Sequence, residues 1–243
     1  MTIHFDQRGP VAFLTIDRSE VRNAVDLETL EGLHGWIRTA NDNESRALVL
    51  TGSWGHFCAG ADLNGVEDES FAAALRGVLD GLRDAPYPTI AAINGVALGA
   101  GAQLAIACDL RVATPSARFG IPAAKLGLMV DHWTVQRLAL FAGHGPARAM
   151  LLAAEVLDGE TAVRLGLAQR AGNLEDALAW ADEIAALAPL TIQGHKLMLN
   201  RLEADAGHDP DVADAFRRAW GSADLREGIT AFHEKRSPRF RGE

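Results

Sequence analysis

A glycine–alanine turn opens the stretch Ala97–Leu110, ALGAGAQLAIACDL, and Gln103 stands one turn into the apolar, helix-forming run that follows. A helix that begins on such a turn exposes backbone N–H groups, and these hold negative charge as it develops on an oxygen. The neutral amide of Gln103 hydrogen-bonds a substrate or a water. Unlike Glu, it neither takes nor gives a proton at useful pH. A second small-residue turn, His56–Leu63 (HFCAGADL), lets the backbone approach a ligand and offers the Ala61 N–H as a donor. A third segment, Phe119–Arg137 (FGIPAAKLGLMVDHWTVQR), is punctuated by Pro122 and Gly127 and carries Asp131 just before the helical run WTVQRLALF. Asp131 reads in two ways, as the N-cap of that helix or as an acid/base. His132 beside it makes no dyad, because adjacent helical residues do not face each other. The run GVALGAG at 95–101 lacks the GxGxxG spacing of a dinucleotide loop. Cys58 and Cys108 belong to no CxxC or Cys/His cluster, so neither a metal site nor a disulfide framework is expected.

The elements that must position these residues follow from hydrophobic periodicity. Val11–Asp17, Ala47–Thr51 and Thr89–Ile93 are short β-rich or apolar runs suited to strands. Helices are expected at Asp26–Asn41, with Asp26 as N-cap, and at Ser70–Arg83. From Trp133 onward the pattern turns helical, at Trp133–Phe141, Pro146–Ala154, Gly159–Leu165, Glu175–Ala188, Leu190–Leu202, Asp211–Trp220 and Ser222–Arg236, with a loop at Gly207–Pro210. Strands alternating with helices predict an α/β core over 1–187, followed by a helical region over 188–243. The 243 residues suffice for a sizeable core, and a net charge of −9 disfavours a general nucleic-acid or anionic-membrane surface. The basic tail (Lys235, Arg236, Arg239, Arg241, with Arg226 nearby) reads as a solvated terminus or as an arm over a phosphate-bearing ligand. No window approaches about 18 uninterrupted apolar residues, and MTIHFDQRGPVAFLTID lacks the basic and apolar regions of a signal peptide. A cytoplasmic protein without a membrane span is expected.

Taken in order, Arg22-Asn23-Ala24, AGAD at 59–62, NGxALGAGxxLAxACD at 94–109, FGxPxxKLGL at 119–128 and AFHEKR at 231–236 resemble the enoyl-CoA hydratase/isomerase (crotonase) superfamily over nearly the whole chain. The resemblance implies a β-β-α spiral core with a helical C-terminal trimerisation region, assembled as a homotrimer or a dimer of trimers. It implies a coenzyme A thioester as ligand and no prosthetic group. Carried over by position, Ala61 and Ala100 supply the two N–H groups of an oxyanion hole. Arg22, Ala24, Ala59, Ala61, Asp62 and Leu63 line the path of coenzyme A. Phe232 and Lys235, from a neighbouring subunit, close over the adenosine phosphate end.

The departures from that pattern are sharper. Hydratases of the family carry two glutamates where this chain has Gln103 and Ala123. A positioned acid/base is worth about 10²–10⁴-fold, so two-glutamate hydration is expected to be largely lost. Asp131 stands where some isomerases and a dehalogenase of the superfamily carry a working aspartate, while His132 and Trp133 are expected to shape the acyl pocket. This combination is similar to that of a subset of the family that includes a catalytically deficient mycobacterial acyl-CoA carrier linked to mycolic-acid synthesis. The expected function is fatty acyl-CoA binding in lipid metabolism, with fatty-acid synthesis enzymes as partners. The alternative is an enoyl-CoA isomerase or slow hydratase using Asp131. A purely structural subunit is disfavoured, because AGAD and GAG both serve a ligand.

Overall fold

The computed structural model describes residues 2–64, 69–203, 217 and 220–239. The expected loop at 207–210, most of the expected helix at 211–220, and Arg241 lie outside the described residues.

Among the described residues nine strands form two sheets. The larger has the order β1 (Ile3–Arg8), β2 (Val11–Ile16), β3 (Ala47–Gly52), β4 (Thr89–Ile93), β6 (Leu110–Ala113), β9 (Arg170–Ala171). Only its β1–β2 hairpin is antiparallel. The smaller sheet joins β5 (Val96–Leu98), β7 (Arg118–Gly120) and β8 (Val156–Asp158). Parallel strands need crossovers, and the helices that supply them, α1 (Leu27–Asp42), α2 (Glu69–Asp84) and α3 (Ala100–Ala107), wind the chain into successive β-β-α turns. This is the crotonase-type fold.

Because both faces of the larger sheet are covered, its central strands read as unbroken apolar runs. On β3, Leu48 and Leu50 face the main core with α1, α2 and α3, whereas Ala47 and Val49 face α7 (Leu174–Ala185) through Ala177, Ala181 and Ile184. The helix α1 starts where Asp26 accepts the Thr29 N–H at 2.9 Å, as the sequence predicts.

Six short or edge strands, β1 and β5 to β9, escape the sequence pattern. β1 alternates buried or half-buried residues with exposed ones at the sheet edge, and its polar outer positions hide the strand. β8 and β9, three and two residues long, interrupt the region expected to be purely helical between α5 (His144–Leu152) and α7, with α6 (Gly159–Leu165) between them. Beyond them α8 spans Pro189–Glu203 and α9 spans Ala223–His233. The larger helix before them, α4, spans His132–Ala142. No helix among the described residues is long and apolar enough to cross a membrane.

Candidate active site

The site is assembled around the start of α3. All eight of its residues are buried, so the helix is held by packing on every side. Two glycines set the approach. Gly60 has φ +120°, and a Cβ there would lie 3.1 Å from the Leu98 carbonyl oxygen. A Cβ on Gly101 would meet the Cys58 carbonyl at 2.1 Å, so α3 rests directly on the backbone of the 58–61 segment. That segment is clamped from both sides. Cys58 N–H donates to Val96 O at 2.9 Å, Leu98 N–H to Cys58 O at 3.0 Å, and Val25 N–H to Gly60 O at 2.8 Å.

The result is a cavity of about 330 Å³ lined by Ala59–Ala61 and Leu63, the inner face of α2, the first turn of α3 and the segment leading to α4. Trp220 and Phe232 close it from the C-terminal side. The N–H groups of Ala61 and Ala100 both belong to lining residues, and neither donates to another described residue. Two unpartnered backbone donors beside a helix N-terminus suit an oxygen that gains negative charge.

The far end of α3 is equally arranged. Buried Arg111 donates to Ala105 O at 3.2 Å and Cys108 O at 2.8 Å, and buried Arg137 donates to the Ile106 carbonyl and to Ala107 O at 3.4 Å. Two guanidiniums thus satisfy the last-turn carbonyls and balance the negative end of the helix dipole. The positive end is left facing the cavity.

Gln103 lines the cavity and is 8% exposed. Its Nε2 donates to Thr134 Oγ1 at 2.8 Å, so the amide is tethered to α4. Ala123 lines the same wall from a 3-10 turn at Pro122–Leu126 and presents only a methyl group. Asp131 lines the cavity while capping α4, where it accepts the Thr134 N–H at 3.0 Å. Its other oxygen accepts from Arg76 Nη1 at 3.1 Å.

Of the residues anticipated from sequence, Ala59, Ala61, Leu63, Ala100, Gln103, Ala123, Asp131 and Phe232 share this cavity. His132 and Trp133 do not line it. The helix begins at His132, so successive residues turn away from the wall that Asp131 joins. Trp133 instead lies between Arg76 and Arg137, 4.7 and 5.4 Å from its ring, and borders a separate cleft with Arg83, Lys196 and Leu197. Arg22, Ala24, Asp62 and Lys235 also lie outside the lining. Arg22 is exposed at φ +53°, its carbonyl accepting the Ala59 N–H at 3.0 Å, and Ala24 is buried. Asp62 pairs with Arg18 at 3.2 Å, and Lys235 is exposed at φ +53°. Phe232, expected from a neighbouring subunit, lines the cavity of its own chain, because α9 packs on the 122–126 turn with Gly228 against the Leu126 backbone.

Arg76 and Trp220 are among the lining residues that sequence reasoning missed. Arg76 lies on an amphipathic helix whose charged positions read as solvated, and Trp220 reaches the cavity from the chain's far end, with Nε1 donating to Met129 O at 2.8 Å. The cysteines play no part in this wall. Both are buried, and burial pushes each thiol up to about 12. Among the described residues no group of three His, Cys, Asp or Glu side chains is placed to hold a metal ion.

The chain has counterparts among known proteins. The chain is 47% identical to a probable enoyl-CoA hydratase, echA6, of Mycobacterium tuberculosis over 99% of both chains. It is 33% identical to a short-chain-enoyl-CoA hydratase of Clostridium acetobutylicum, covering 95% of this chain and 94% of that one. In structure it is similar to an enoyl-CoA hydratase/isomerase from Pseudoalteromonas atlantica, with a TM-score of 0.90 and 29% identity over 99% of this chain and 100% of that one. The profile of the enoyl-CoA hydratase/isomerase family matches residues 6–243. Fold and sequence therefore agree, and the chain belongs to the enoyl-CoA hydratase/isomerase family.

Proposed function

We propose that this protein binds a fatty acyl-CoA thioester in the α3 cavity and performs little or no two-glutamate hydratase chemistry. One contrast carries the reading. The two N–H donors of Ala61 and Ala100 are kept unpartnered, while the positions that would move protons hold an amide tethered to Thr134 and a methyl group. In this reading the thioester oxygen sits on those N–H groups, and the pantetheine arm runs past Ala59 and Leu63. The nucleotide lies outside the cavity toward Arg22, Ala24 and Asp62, under Phe232 and Lys235. Coenzyme A enters as part of the ligand, and no prosthetic group is required. The protein works in lipid metabolism in the cytoplasm, handing its ligand to fatty-acid synthesis enzymes. Residues 1–187 form the spiral core, and 188–243 form a helical region that joins copies into a homotrimer or a dimer of trimers.

One observation favours a second reading. Asp131 is a carboxylate on the cavity wall, placed to serve a double-bond isomerase or a slow hydratase. The test joins calorimetry of acyl-CoA binding to spectroscopic assays of 2-enoyl-, 3-enoyl- and dienoyl-CoA on the same sample. Micromolar binding without turnover is the expected outcome. Turnover that Asp131→Asn abolishes would establish the enzyme instead.

A further inference from the structure

Among the described lining residues of the cavity, Arg76 is the one cation and Asp131 the one anion. The guanidinium of Arg76 spends three of its five N–H groups on two carboxylates. Its Nε donates to Asp80 Oδ2 at 2.9 Å, its Nη2 contacts Asp80 Oδ1, and its Nη1 donates to Asp131 Oδ2 at 3.1 Å. One face lies 4.7 Å from the centre of the Trp133 ring. Asp131 is fixed just as firmly, because its second oxygen caps α4 through the Thr134 N–H. Arg83 also pairs with Asp80 at 3.0 Å and with Asp84 at 2.7 Å, so the network of two guanidiniums and three carboxylates carries a formal charge of −1 before any ligand arrives. A planar guanidinium on a cavity wall is the natural partner of a ligand carboxylate. Here the chain's own carboxylate already holds that place, and a second one would meet like charge.

We propose that Asp131 acts as a resident carboxylate on Arg76 and restricts the cavity to acyl groups that carry no carboxylate of their own. Neutral acyl chains are accepted, and ω-carboxylated ones are turned away. The inference rests on the acyl-CoA reading above and adds the substrate class.

The experiment compares ligand pairs that differ by one carboxylate: butyryl-CoA against succinyl-CoA, and octanoyl-CoA against octanedioyl-CoA, by calorimetry. Asp131→Ser is the informative variant, since serine still caps a helix while the charge leaves and space opens at Nη1. Asp131→Asn removes the charge and turns the oxygen facing Arg76 into an NH2 donor. The wild type is expected to favour the neutral member of each pair. Asp131→Ser is expected to narrow that preference at least tenfold at one or both lengths, with Asp131→Asn intermediate. Adding Arg76→Gln is expected to erase the gain, which identifies Arg76 as the recipient. A preference unchanged in both Asp131 variants, with neutral acyl-CoA still bound, overturns this inference alone. If the wild type binds none of the four ligands, the acyl-CoA reading falls and this inference falls with it.

Discussion

At the scale of single residues, the site differs from a two-acid site at Gln103 and Ala123. Both stand on the cavity wall, and Thr134 supplies a hydroxyl that accepts from the Gln103 amide. A hydroxyl also donates, so glutamate at 103 would keep this partner with the roles reversed. Gln103→Glu combined with Ala123→Glu is therefore expected to raise hydration of a 2-enoyl-CoA by about 10²-fold or more, read as loss of enoyl absorbance. Each single change alone is expected to give little, because groups that act as a unit are not additive. A double variant that folds, binds acyl-CoA and stays inactive would show that more than the acids is missing. The cysteines allow a simpler check. With both thiols buried and pushed up to about 12, about one in 10⁴ is ionised at pH 8. Ellman's reagent is expected to leave the native chain untouched and to titrate two thiols in denaturant. The turns that carry Ala61, Ala100, Gln103 and Ala123, all four of which line one cavity, were legible in the sequence because each sits inside a short motif. Arg76 was not, since its meaning comes from Asp131, which is 55 residues away. Trp133 misled for the opposite reason. Proximity to Asp131 in sequence suggested a shared pocket, and helical rotation separates them.

At the scale of elements, α3 and its two arginines are the device on which the site depends. The helix was readable as an apolar run after a glycine turn, but nothing local to it shows that Arg111 and Arg137 fold back onto its last carbonyls. Arg111→Met removes the donor to Ala105 O and Cys108 O and leaves buried acceptors without partners. Each such group costs about 1–3 kcal/mol, so a loss of about 3 kcal/mol or more is expected in urea unfolding. An unfolding midpoint indistinguishable from wild type would contradict this account of the helix. A second element test concerns α1. Burial works against ionisation of Asp26, but hydrogen bonds from Thr29 and the charge of Arg18 outweigh it and hold its carboxyl below the ordinary 3.8. A native value below the unfolded one gives stability that is full above the unfolded value and is lost as pH falls through the native one. Asp26→Asn keeps the cap and removes the ion pair with Arg18 at 2.9 Å. Wild type is thus expected to exceed this variant in stability at pH 7, with the difference closing as pH drops below 3.8. Asp26→Ala is expected to cost about 1 kcal/mol more than the asparagine change.

At the scale of the whole molecule, the apolar surface is what remains unaccounted for by a single chain. Leu190, Leu197, Met198 and Leu199 on α8 are more than half exposed, with Leu190 at 80%. Leu140 and Leu152, on α4 and α5, are exposed as well, Leu152 at 75%. Scattered apolar residues are ordinary on a protein surface, but several large ones on one helix mark a face that another surface covers. The core of α8 is held differently. Buried Lys196 bonds Asp109 at 2.7 Å and Tyr87 O at 2.9 Å, while Asn200 donates to Arg83 O at 2.8 Å. Polar anchors on one side and leucines on the other fit a helix that is fastened to its own chain and meets a second copy. Such association would buffer the marginal stability expected of any single domain. Sedimentation equilibrium is expected to give about three times the chain mass of 25.9 kDa, or twice that again for a dimer of trimers. Leu190→Glu with Leu199→Glu places two charges on the face and spares the Lys196 anchor, so dissociation with retained helix content is the expected outcome. A wild-type protein that sediments as a monomer at micromolar concentration would remove association as the reason for this face. A charged variant that stays assembled would move the interface to α4 and α5, where Leu140→Glu and Leu152→Glu give the matching test.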